Sequence, residues 1–167
     1  MKIKYCLMAV IFQSLCVPAV FGAQASHLFF VARNKNANII RYDALMDTHG
    51  KIDPREPVTA YWILLAKDGR RQELTALDRK AYGFSCTPDK NPGVYNIIIK
   101  SFNSREIRVY NDKRGIKAEV AINGKPAWLN EIFIDASQAI VFTKVHYIEL
   151  FGKDKTTGAK VYEKIIP

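Results

Sequence analysis

From residue 28 onward the chain is broken every few residues by turn formers. Between them apolar side chains recur with a period of two, the spacing of a strand with one buried face. Ile107 and Val109 face one way against Glu106, Arg108 and Tyr110, and Ile116, Ala118, Val120 and Ile122 do the same against Lys117, Glu119 and Ala121. Further strands are expected at 28–33, 38–42, 94–100, 128–134, 139–143, 145–151 and 160–166, with Asn34-Lys35-Asn36-Ala37 a tight connection between the first two. Residues 58–66 are apolar almost throughout, as in a central strand buried on both faces. Residues 73–82 read as the only helix, capped by Thr75 with Asp78 and ended by Gly83. Asn123-Gly124 is the strongest hairpin signal, because both positions tolerate the positive φ of a type I′ turn. About nine or ten strands and one short helix make a mainly β fold. The expected form is an antiparallel meander curled into a barrel or half-barrel, with a two-sheet β-sandwich as the alternative.

The first 25 residues follow another pattern. Lys2 and Lys4 precede a mostly apolar stretch, 5–21, and Ala23-Gln24-Ala25 sets small residues where a signal peptidase cuts. Residues 1–25 therefore read as a signal peptide cleaved after Ala25, with Gly22 a second cleavage position, ahead of one β-rich domain at 26–167. The expected location is periplasmic or secreted. A retained membrane anchor is the rival reading. The apolar run is short for it, since a spanning helix needs roughly 20 apolar residues, and Pro18 interrupts the run. Lipid attachment at Cys16 is disfavoured by Leu15 before it. Cleavage removes two lysines and no acid, so the net charge falls from +9 to +7. It also leaves Cys86 as the sole cysteine, so no intramolecular disulfide is expected despite the oxidising destination.

Basic and acidic residues are interleaved along the whole domain, with no basic tract. Nucleic acid is therefore not expected as a partner, and weak contact with an anionic membrane surface, a polysaccharide or an acidic protein remains. His27, His49 and His146 stand at no metal-ligand spacing, and His27 is expected to fray beside the cleavage site. There is no Gly-x-Ser-x-Gly elbow, phosphate loop or dinucleotide fingerprint, so no catalytic residue, metal or cofactor is assigned. Cys86 reads as a small buried hydrophobe.

Two constellations carry candidate chemistry. Arg33-Asn34-Lys35-Asn36, with Asn38, gathers a guanidinium, an ammonium and amides able to hold a carboxylate, phosphate or sugar, although asparagines in turns also serve their own backbone. Glu149 shares a face with Val145, Tyr147 and Phe151. If that face is the core, its carboxylate needs a partner such as Arg33, Arg105 or Arg108 at the mouth or interior of the barrel. If the face is solvated, Glu149 is ordinary.

Residues 28–38 (Leu-Phe-Phe-Val-Ala-Arg-Asn-Lys-Asn-Ala-Asn), Tyr61-Trp62, Ala81-Tyr82-Gly83, Ile122-Asn123-Gly124 and Glu149-Leu150-Phe151-Gly152 occur in that order. Together they resemble the bacterial domain-of-unknown-function 4833 family over nearly all of the chain after residue 25. The common form of the first motif has serine in place of Asn34. The resemblance implies an exported single-domain β protein and no established activity. The leading expectation is an exported, non-enzymatic binding module of the cell envelope. Arg33, Asn34, Lys35, Tyr42, Trp62, Tyr82 and Glu149 are its candidate ligand-binding residues, with a small molecule or glycan as the unknown ligand. The alternative is a structural or interaction module that recruits an envelope protein by strand addition, which a filled interior and an unprotected edge would favour. An unrecognised hydrolase ranks last.

Overall fold

The computed structural model describes residues 24–138 and 143–167. Most of the expected signal peptide, and the strand expected at 139–143 apart from Thr143, lie outside the described residues. The described elements are β1 (Gln24–Arg33), β2 (Asn36–Met46), β3 (Val58–Ile63), β4 (Arg71–Glu73), α1 (Asp78–Tyr82), β5 (Phe84–Pro88), β6 (Val94–Ile99), β7 (Phe102–Asp112), β8 (Gly115–Ile122), β9 (Lys125–Gln138), β10 (Thr143–Asp154) and β11 (Lys160–Ile165).

The strands form one curled sheet in the order β4-β3-β2-β1-β9-β8-β7-β6-β5, with β10 and β11 added on β9. β9 is the branch point. One of its edges pairs with β10 along most of its length. The other is shared, Lys125 to Trp128 with β8 and Glu131 to Ile134 with β1. The result is a half-barrel, as the alternation predicts, but a mixed one. β1 runs parallel to β9, and every other pairing among the described residues is antiparallel. A contact between the first and ninth strands leaves no trace in local periodicity, so a pure meander was the natural expectation.

The strands are amphipathic in the sense the sequence requires. Ile97 and Ile99, Ile107 and Val109, Ala118, Val120 and Ile122 are all buried on one face, and their alternates are not. They meet Phe29, Val31, Ile40, Tyr42, Ile132 and Leu150 from the other lobe in one apolar cluster. Phe29 and Tyr42 stack with ring centres 4.7 Å apart. The concave interior is therefore occupied by side chains, each large one contributing about 1.5–3 kcal/mol through burial.

Three expectations change in detail. The helix expected at 73–82 is only α1, because Arg71–Glu73 pairs with β3 as β4 instead. Thr75 and Asp78 still bond reciprocally: the Thr75 N–H and Oγ1 donate to Asp78 Oδ2 at 3.0 and 2.7 Å, and the Asp78 N–H donates to Thr75 Oγ1 at 3.2 Å. Gly83 ends the helix for want of space rather than by a left-handed turn: its φ is −65°, and a Cβ there would stand 2.3 Å from the Arg79 carbonyl oxygen. β3 is not central, since only the three-residue β4 lies outside it. Its apolar run serves two faces: Trp62 enters the core, while Tyr61 is buried beneath the Arg71 guanidinium, 3.8 Å from the ring centre. The Asn123-Gly124 turn matches its expectation, with φ of 50° and 72° between Ile122 and its partner Lys125.

Candidate functional site

Four of the seven candidate residues converge at one end of the half-barrel. Arg33, the last residue of β1, lays its guanidinium over Trp62 of β3 at 4.6 Å and over Tyr82 of α1 at 5.5 Å from the ring centres. Its Nη1 donates to the Tyr82 hydroxyl at 3.3 Å, while its buried Nε has no partner among the described residues. Trp62 and Tyr82 meet edge to face at 5.7 Å. Tyr42 is fully buried below them and donates its hydroxyl to the Tyr82 carbonyl at 2.6 Å; burial pushes its phenol pKa up. Asp78 completes the end. Burial opposes its ionisation, but hydrogen bonds from Thr75 and Trp62 and the charge of Arg33 bring its pKa down overall. The cluster is a guanidinium clamped by two rings, a cation–π arrangement that fixes α1 across the end of the sheet.

The other three candidates sit elsewhere. Asn34 and Lys35 form the two-residue turn between β1 and β2. Asn34 donates to Asp135 and accepts the Ala136 N–H at 3.5 Å, which fastens the turn to β9. Glu149 lies on β10, on the face opposite the core, where it accepts the Tyr162 hydroxyl at 2.8 Å. The expected Glu149–arginine pair is not formed: Arg105 pairs with Glu163 at 2.5 Å, Arg108 lies near Glu119 and Asp89, and Arg33 is held by its rings. Tyr147 and Phe151 share that face with Glu149, but an irregularity between Val145 and Tyr147 turns Val145 to the core side. The Glu149 face is the one that β9, β10 and β11 leave uncovered.

The half-barrel has an open seam. β4 ends opposite Tyr61, so Val58 to Ala60 of β3 have no strand on that side. β5 pairs with β6 on one edge and, among the described residues, with no strand on the other. A cleft of about 320 Å³ separates the two, with Val58, Thr59 and Ala60 on one bank, Gly83, Phe84 and Lys100 on the other, and Glu56, Glu73, Leu74 and Arg79 between. On the second bank the Lys100 N–H bonds the Gly83 carbonyl at 2.9 Å, extending the β5–β6 ladder, and the Ser101 N–H bonds the Ala81 carbonyl at 2.8 Å, tying α1 to that bank.

The most buried polar side chain was not among the candidates. Asp43 is 1% exposed and accepts from His27 Nδ1 at 3.1 Å, Arg41 Nε at 2.7 Å and the Tyr61 hydroxyl. Burial pushes its pKa up, but those three hydrogen bonds and the Arg41 charge outweigh it and hold the carboxyl at about 2. His27 is thereby part of β1 and does not fray. A second acidic knot has Glu119 accepting from Tyr110 and from Lys155, whose ammonium lies 5.1 Å from the Trp128 ring centre. Cys86 is half-buried against the core, and burial raises its thiol pKa, which suits an unreactive thiol. No group of three or more His, Cys, Asp or Glu able to hold a metal occurs among the described residues, and none of their helices is long and apolar enough to cross a membrane.

Fold and site together define a small β half-barrel with a packed interior, an arginine–aromatic end and an open seam. The chain belongs to the family described as Domain of unknown function (DUF4833), whose model matches residues 29–164. No curated protein and no solved structure matches it.

Proposed function

We propose that the protein is an exported, non-enzymatic interaction module of the cell envelope that holds an extended segment of a partner protein along its open seam. The seam itself carries this reading: two strand edges with unpaired backbone flank a cleft of about 320 Å³, and the interior behind them is filled. The Leu45 N–H bonds the Pro57 carbonyl on one side of the ladder and the Leu64 N–H bonds the Arg70 carbonyl on the other. Alternation from these bonds turns the N–H and C=O of Val58 and Ala60 toward the cleft. An extended peptide gains main-chain hydrogen bonds at such an edge and selectivity from the side chains beside it, Glu56, Glu73, Arg79 and Lys100. A photo-crosslinking residue at Thr59 or Ser85 is expected to capture a discrete partner in the producing cell, with amide exchange at Ala60 slowed in the complex. The same residue at Lys113, in the β7–β8 turn, should capture none. Equal capture from both places, or unchanged exchange at Ala60, sinks the seam. A second reading, a small anion held at Arg33, is favoured by the unpartnered Nε and the single long hydrogen bond of that guanidinium.

Export rests on Lys2, Lys4, the apolar run 5–21 and Ala23-Gln24-Ala25. Cleavage after Ala25 leaves β1 starting at Ser26, opposite Ala44, and the two described residues it removes, Gln24 and Ala25, are both exposed. Mass spectrometry of the periplasmic or secreted protein is expected to find Ser26 as the first residue, and an intact Met1 confined to the cytoplasm ends the proposal of export. The remaining charge of +7 supports weak contact with an anionic surface.

A further inference from the structure

On the face of β1, β9, β10 and β11 opposite the core, five aromatic side chains stand partly or largely exposed: Phe30, Phe133, Tyr147, Phe151 and Tyr162. The rings of Phe133 and Tyr147 are 6.3 Å apart and those of Phe151 and Tyr162 5.3 Å apart. Three carboxylates are set among them: Asp135, in register with Tyr147 and held by Asn34, and two more, Glu131 and Glu149. Glu131 is in register with Phe30 on one side and Phe151 on the other, and Glu149 with Phe133 and Lys164. Glu131 forms no hydrogen bond or ion pair among the described residues, and burial together with the Glu149 charge raises its pKa. The same face already holds a cation of its own, for Lys164 Nζ lies 3.5 Å from the centre of the Tyr147 ring. Arg41, beside Phe30, is engaged by Asp43, and Lys153 and Lys160 lie beyond the Phe151–Tyr162 pair.

The geometry points to a docking surface for a lysine- or arginine-bearing segment of a partner protein, whose cation seats on these rings beside Glu131 and Glu149. Charge complementarity selects this occupant. On a chain of net charge +9, Glu131 and Glu149 stand diagonally across the β9–β10 ladder, and no cation among the described residues pairs with Glu131. Aromatic faces attract ammonium and guanidinium groups through the ring quadrupole, as Lys164 on Tyr147 illustrates. The surface is independent of the seam and stands or falls without it.

Titration with tetralysine at low ionic strength tests it, because the remaining surface repels a polycation and bound peptide marks a local acidic site. Binding is expected to weaken about tenfold in the Glu131→Gln, Glu149→Gln double variant and about threefold in Phe151→Ala, and to strengthen about threefold in Lys164→Ala, where the internal competitor is gone. Glu56→Gln, at the seam, should leave it unchanged. Thermal melts of each variant establish that the sheet is intact. No binding of tetralysine, or equal binding by the double glutamine variant, overturns the assignment. Chitotetraose binding that is lost in Phe151→Ala but kept in the double glutamine variant also overturns it, and makes the face a sugar platform.

Discussion

Asp43→Ala is expected to destabilise the domain by about 4 kcal/mol, a fall in Tm of roughly 12 °C for a chain of this size. The carboxylate is 1% exposed and answers three donors from three places in the sheet: His27 on β1, Arg41 on β2 and Tyr61 on β3. Removing it leaves the buried Tyr61 hydroxyl without its acceptor and the part-exposed Arg41 guanidinium without its counter-ion, the costly case in which one partner of a buried charged group is deleted. Asp43→Asn keeps the volume and one acceptor, and should lose about 2 kcal/mol at neutral pH. The pH dependence separates charge from shape. A carboxyl held at about 2 when folded, against an ordinary value of 3.8, favours the folded state above pH 4. That contribution disappears as pH falls from about 4 to about 2, so the gap between wild type and Asp43→Asn should close over the same range. Denaturant melts at pH 7, 4 and 2 read it directly. A gap that stays constant to pH 2 means that Asp43 acts through hydrogen-bond geometry and not through its charge.

The same residue marks where the sequence stops being legible. Within β2 the period of two already sets Asp43 opposite to Tyr42 and Ala44, yet it cannot say that Tyr61 and His27 will cover that side. The face looks polar locally and is sealed only by the neighbouring strands. His27 departs from its expected loose end for a related reason: the partner that holds it, Asp43, is 16 residues away. Where one strand suffices to define its own environment, as in β6, β7 and β8 or at Asn123-Gly124, pattern and structure agree. The parallel junction of β1 with β9 joins distant segments, and neither strand carries a mark of it.

The candidate site divides along the same line. Arg33, Trp62 and Tyr82 are polar or aromatic residues in strands and at a helix end, and the fold does bring them together, across 49 residues between Arg33 and Tyr82. Tyr42 joins them as core. Asn34 and Glu149 carry equally suggestive local patterns, and the fold sends them to a turn clasp and to the outer sheet face. What decides between these outcomes is which lobe leaves β9 on which edge. That branching is a property of the whole sheet and not of any window of residues.

The branch depends on one close approach, and Gly152→Ala should break it at a cost of about 3 kcal/mol, or roughly 9 °C in Tm. Gly152 sits at the irregularity between Phe151 and Gly152, where β10 crosses the part of β9 that passes from β8 to β1. A Cβ there would stand 2.5 Å from the Trp128 carbonyl oxygen and 2.9 Å from Ile122 Cδ1. The isoleucine tip can turn aside, but the carbonyl belongs to the β9 backbone, which is paired with β8 and β10 at that residue and cannot yield alone. Gly158→Ala is the matching control. Its φ is +73° with nothing within 4 Å of a built Cβ, so it should cost only about 1 kcal/mol, from backbone conformation. Equal losses at the two positions would mean that the strands separate easily at Trp128 and that Gly152 is present for some other reason. A larger loss at Gly152 gives the Glu149-Leu150-Phe151-Gly152 segment, one of the stretches that carries the family resemblance, a structural explanation for its glycine. Gly83 in Ala81-Tyr82-Gly83 repeats that logic against the Arg79 carbonyl. Both glycines then mark places where backbone meets backbone, so ligand contacts are not what holds these two family motifs at glycine.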